Sequence, residues 1–204
     1  MTENNTIHLS TTELLPNRPF THTRNTELDL SDLERIRTML REALQMPNTA
    51  DEISGDAYRF VILNREALLT AQPITVVGFC ANRRGYLSPA LLEEMNVVDG
   101  DLMRELAQHP DMLTYSSIQL PDGNWKNLVL LRSEAGVGHW RNSHRHVYAA
   151  NMLSPHYYAN VRLHNGVLPQ GLASPNIILA STKYYDFESD PIWRAIRAIT
   201  THSE

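Results

Sequence analysis

Between Ile74 and Phe187 the chain runs through an order of elements that leaves few folds open. "ITVVGFCANRR" is a continuous apolar run of strand length, while "SPALLEEM" and "DGDLMRELAQHP" carry helical spacing. "MLTYSSIQL" and "WKNLVLLRS" are strands joined by "PDGN", a turn sequence. A histidine-rich helix is expected from Val137 or Gly138 to Met152, followed by a helical piece at "SPHYYAN" with Ser154 as cap and Pro155 in the first turn. "VRLHNGVL" and "NIILASTKYYDF" then read as strands, the latter appended, and "DPIWRAIRAI" as a short terminal helix. The order is βαββαβ plus one strand, which makes the fold class α+β.

Ahead of this unit, residues 1–26 show no sustained period and are expected to form an irregular arm. The first helix follows at "LDLSDLERIRTMLREALQM", with Ser31 or Asp29 as cap and Leu33, Ile36, Leu40 and Leu44 on one face. "AYRFVILNR" reads as a strand and "EALLTAQ" as a short helix that Pro73 stops. The chain therefore divides into an arm and helical extension over 1–72 and a domain over 73–204. A net charge of −5 gives no electrostatic footprint for nucleic acid or an anionic membrane. Cys80 is the only cysteine, which excludes an intramolecular disulfide and a cysteine-rich zinc site. No apolar run reaches the ~18 residues of a membrane span, and the N-terminus lacks the layout of a secretion signal, so a cytoplasmic location is expected.

A sheet of this kind has helices on one face only, and its other face needs a cover, for which a second subunit is one solution. On its element order and its aromatic, His-bearing second helix, the segment Ile74 to Phe187 resembles the dimeric α+β barrel superfamily, whose units are ferredoxin-like. The resemblance implies a homodimer with a small-molecule pocket and the chemistry of antibiotic-biosynthesis-type monooxygenases or polyketide cyclases of secondary metabolism. It also reaches haem-binding branches. Haem degraders of the superfamily use an Asn, Trp and His set, to which Asn82, Trp140 and His144 are the nearest counterparts. The Trp-to-His spacing here is much shorter than theirs, and the N-terminal extension is foreign to them.

Candidate site residues come from two places. In "HWRNSHRH" (139–146), helical geometry of about 100° per residue puts His139, Ser143 and His146 on one stripe and Trp140, His144 and Val147 on another. Two histidines at i and i+4 are absent, so a metal site built by this helix alone is not expected. His144 falls on the side expected to face the sheet, and His139 and His146 are the candidates for solvent. In "VRLHNGVL", Arg162 and His164 alternate with Val161 and Leu163, and they point into the barrel if the apolar set packs under the helices. Either Thr114 and Ser116 or Tyr115 and Ser117 join them, together with Trp125 and Asn127 or Lys126 and Arg132.

The expected enzyme acts on an aromatic or polyketide-like molecule by proton abstraction leading to oxygenation or cyclisation. His144 or His164 is the base, Arg162 the oxyanion partner, and Trp140, Tyr158, Asn82 and Trp125 bind substrate. Alternatives are a haem enzyme with His144 as iron ligand, or a non-catalytic ligand-binding dimer module. No phosphate-binding loop and no GxSxG elbow occurs in the chain.

Overall fold

The computed structural model describes residues 6–46 and 51–199. Its elements are β1 (Ile7–Leu9), α1 (Thr23–Gln45), β2 (Glu52–Gly55), β3 (Tyr58–Ile62), α2 (Arg65–Thr70), β4 (Ile74–Arg83) and α3 (Pro89–Leu106). They continue as β5 (Met112–Gln119), β6 (Trp125–Leu131), α4 (Glu134–Asn142), α5 (His144–Tyr148), α6 (Ser154–Tyr157), β7 (Tyr158–Leu168), β8 (Ile178–Asp186) and β9 (Trp193–Ala198). The strands form one mixed sheet in the order β1-β9-β8-β7-β4-β6-β5-β3-β2, parallel only where β1 meets β9. The fold is α+β, with helices on both faces. No helix among the described residues is long and apolar enough to cross a membrane.

Strand parity decides what each face meets. Lys126, Cys80, Arg162 and Tyr184 lie side by side across β6, β4, β7 and β8, and the next row on the same face is Leu128, Gly78, His164 and Thr182. This is the face that α1 covers. Leu33, Ile36 and Leu40, spaced three and four apart, are fully buried against Ile74, Val76, Leu128 and Leu130 in the main core. Burying each such side chain stabilises the fold by about 1.5–3 kcal/mol. The opposite face carries the row Asn127, Phe79, Leu163 and Lys183. Above it sit α3 and α4, where Met103 and Leu106 pack on Met112, Val129 and Leu131 as a smaller core.

Several expectations change. The face expected to need a second subunit is covered by the chain's own α1, which removes the open face as a reason to expect a homodimer. α1 begins at Thr23 with His22 as its cap, the His22 ring accepting from Arg24 N–H, while Ser31 and Asp29 lie inside the helix. The arm contributes β1, paired with the last strand. The segment expected as a terminal helix is β9. Its alternation buries Ala195 and Arg197, and the Arg197 guanidinium donates to the carbonyl oxygens of Ser10, Thr21 and Glu13 at 3.0, 2.7 and 2.6 Å. Open backbone groups on β8 thus outweigh the local helical pattern. The histidine-rich helix starts earlier, at Glu134, and breaks at Ser143, whose extended ψ of 131° ends α4. Ser143 Oγ then caps α5, and a π-helical stretch, Ala149–Leu153, follows.

Gly78 allows α1 to approach the sheet. A Cβ there would lie 2.5 Å from Leu33 Cδ1 and 3.4 Å from His164 Cβ, and both neighbours are fully buried. Gly78→Val is expected to lower unfolding free energy by about 1–3 kcal/mol in urea titrations. A midpoint equal to the parent's would mean that α1 does not seat on β4 as described.

Candidate functional site

Two polar constellations occupy opposite faces of the sheet. Under α1, Asp29 is 1% exposed and accepts from Arg162 Nε at 2.5 Å and Nη2 at 3.0 Å, from Lys126 Nζ at 2.6 Å and from His164 Nε2 at 2.9 Å. Asp32 takes a second contact from Lys126 at 2.6 Å. His164 Nδ1 lies 2.8 Å from the Thr182 hydroxyl while its Nε2 faces Asp29, so both ring nitrogens have a partner. Two carboxylates balance two cations. Burial by itself would raise the Asp29 pKa, but hydrogen bonds from His164 and Arg162 and the charges of Arg162 and Lys126 hold it well below the usual carboxylate range.

Asp29, Cys80 and His164 also place three potential metal-ligand atoms within 4.8 Å of one another. Burial pushes the Cys80 thiol up, which keeps it protonated, and Asp29 already serves four donors from Arg162, Lys126 and His164. The arrangement clamps helix to sheet, with Asp29, Cys80 and His164 buried and Arg162 bordering an open cleft.

The second constellation is a cavity of about 400 Å³ between the other sheet face and the helices above it. Val77 and Phe79 of β4, Tyr115 of β5, Asn127 and Val129 of β6, Leu163 of β7, and Lys183 and Tyr185 of β8 form its floor. Asp99 and Leu102 of α3, Trp140 and Arg141 of α4, and His146 of α5 close it. Tyr115 stacks near Trp140 at 6.5 Å and 10°, Trp140 meets the His146 ring at 5.3 Å and 65°, and Phe79 meets Tyr158 at 5.4 Å and 63°. Apolar walls with a few convergent polar groups are the form of a small-molecule site.

Charge states in the cavity follow from the burial of its lining groups and from the charges beside them. Burial, with Arg141 adding to it, lowers the His146 pKa to about 4, so the imidazole is neutral near pH 7. Burial raises the hydroxyls of Tyr115, Tyr158 and Tyr185, which remain protonated hydrogen-bond donors. Asp99 is also raised by burial, against the pull of Arg59, whose Nη1 lies 3.3 Å away.

Of the residues expected to form one site, Trp140 and Tyr158 line the cavity. His144 does not, because the break at Ser143 turns it out to the exposed first position of α5, and a residue placed there does not fit the role of haem ligand. Arg162 and His164 are buried on the other face, since the apolar alternates Val161 and Leu163 face the cavity helices while the polar pair faces α1. Asn82 shares that face with them, donates to Asn160 Oδ1 at 3.1 Å and borders an open cleft. Trp125 shares the parity of Asn127 but is 38% exposed at the strand start. His146, Asp99, Arg141 and Lys183 were missed. A Ser directly before "HRHVY" is an N-cap signal, and read as one it would have set His146 on a new helix.

No protein-family profile matches the chain, and no curated protein matches it. Among solved structures, Rv0793 from Mycobacterium tuberculosis is similar at 12% identity and a TM-score of 0.37, over 46% of this chain and 91% of that one. An aldoxime dehydratase is similar at 12% identity and a TM-score of 0.28, over 70% of this chain and 39% of that one. Likenesses this remote say nothing about chemistry.

Asp29→Asn leaves Lys126 and Arg162 buried with little to balance them, and is expected to destabilise the protein by about 3–5 kcal/mol in chemical denaturation. The wild type gives an independent check. Asp29 has a folded pKa below its unfolded value of about 3.9, so its contribution is complete above that pH and disappears as pH falls below it. Stability of Asp29→Asn should therefore fall less steeply than the parent's below about pH 4.

Proposed function

We propose that the protein is a small-molecule enzyme of the ferredoxin-like, α+β barrel type that removes a proton from an aromatic or polyketide-like substrate held in the cavity. The observation that carries this reading is His146, a neutral imidazole in an apolar, aromatic-walled space of about 400 Å³. The strand order β7-β4-β6-β5 within the larger sheet supports the ferredoxin-like assignment, with the first and last strands of the βαββαβ unit adjacent.

Aromatic rings fit between the Phe79 and Leu163 floor and the Trp140 wall, and substrate oxygens meet the Tyr115 and Tyr158 hydroxyls or the Asn127 amide. His146 takes the proton, and the oxygen of the conjugate anion is stabilised by tyrosine hydroxyls that stay protonated. A base with a pKa of about 4 suits a substrate whose own proton is acidic, such as a carbon between conjugated carbonyl or aryl groups. The resulting carbanion or phenolate is then open to oxygenation or to closure on an internal carbonyl. This assignment moves the base from His144 and His164 to His146, and the anion-stabilising role away from Arg162.

Deuterium exchange tests the proton step without knowledge of the later steps. With anthrone, whose central CH₂ is acidic and flanked by aryl rings, the protein is expected to accelerate exchange into D₂O over buffer, and His146→Gln to lower that rate by about 10²-fold or more. The second-order rate should stay flat from neutral pH downward and fall as pH drops through about 4, where the base takes up its proton. Absence of any acceleration by the wild type, or full activity in His146→Gln, would sink the reading. A Soret band in protein from haem-replete cells would replace it with a haem enzyme.

A further inference from the structure

Charge in the cavity is not evenly placed. Its one lining carboxylate, Asp99, has its own cation in Arg59 at 3.3 Å. Arg141 and Lys183 line the opposite part, on α4 and β8. Tyr185 stands on the same strand face two residues beyond Lys183, roughly 7 Å along the strand, and Arg194 of β9 is its direct cross-strand neighbour. Burial pushes the Tyr185 hydroxyl up, against the positive charges of Arg141 and Arg194 nearby.

The floor has a matching polarity. Across β6, β4, β7 and β8 the row reads Asn127, Phe79, Leu163, Lys183, so a neutral amide and a cation stand at its two ends with apolar side chains between them. With strands about 4.8 Å apart, the apolar centre is wide enough for flat fused rings. Resting on the proposed enzymatic reading of this cavity, we infer that its ligand is an aromatic monoanion, the rings lying on Phe79 and Leu163 and the acidic group held beside Tyr185 by Lys183 and Arg141.

The same placement couples binding to the base. His146 is depressed by burial first and then by the Arg141 charge, while Glu105 of α3 pulls the other way. A carboxylate docked on Arg141 offsets that positive field, so His146 becomes a stronger base once the ligand is seated.

Calorimetric titration with 2-naphthoate and its neutral isostere 2-naphthamide tests the charge. Naphthoate is expected to bind at least about tenfold more tightly at low salt, with the advantage shrinking as salt rises. Arg141→Gln should remove most of that advantage. NMR titration of the His146 ring should show its pKa rise with naphthoate bound and stay in place with naphthamide. Leu163→Trp, which fills the floor, should abolish both ligands. Equal affinity for the two, or an advantage that Arg141→Gln leaves intact, would overturn the anion assignment while leaving the cavity reading standing. Failure of both ligands to bind, or binding that survives Leu163→Trp, would overturn both.

Discussion

The four donors from Arg162, Lys126 and His164 that converge on Asp29 hold the rest of the structure in place. Asp29 is on α1, Lys126 on β6, and Arg162 and His164 on β7, so one carboxylate joins the N-terminal helix to two strands that flank β4. A buried ion pair is weak support for net stability, because desolvation offsets most of the attraction. What it does supply is register. Moving α1 off this register would separate Asp29 from Arg162 and His164 and leave buried donors without the acceptor that satisfies them.

With α1 locked there, the two faces of the sheet acquire different properties. One buries the leucines and isoleucines of the main core together with the Asp29 cluster. The other is lightly covered: α4 buries only Gly136, α5 buries no residue, and α5 reaches α3 through exposed polar contacts such as Tyr148 to Glu94 and Arg145 to Asp101. Few buried contacts mean low local stability, so α4 and α5 are held less firmly than the strands beneath them.

The division explains why a polar pair in an apolar strand is ambiguous on its own. Arg162 and His164 alternate with Val161 and Leu163, and either set can face a cavity. Their placement depended on Asp29, more than a hundred residues away, which reads locally as an N-cap for a helix that in fact begins six residues earlier. His144 and His146 show the same limit at shorter range. A continuous helix sends them about 200° apart in one arrangement, and the turn at Ser143 substitutes another, with His146 at the cavity and His144 in solvent.

Local spacing was sufficient for β3 to β8, for the PDGN hairpin, where Gly123 adopts a φ of +80°, and for the helical face of Leu33, Ile36 and Leu40. These depend on side-chain period and turn chemistry, which are properties of neighbouring residues. Tertiary structure decided the rest. The terminal segment became a strand because β8 offered it an unpaired edge, the open face was closed by α1 because Asp29 found Lys126 and Arg162, and His146 came to line the cavity because the helix broke at Ser143. Each of these outcomes turns on satisfying buried backbone or charged groups with partners remote in sequence, and no local pattern encodes where those partners will be.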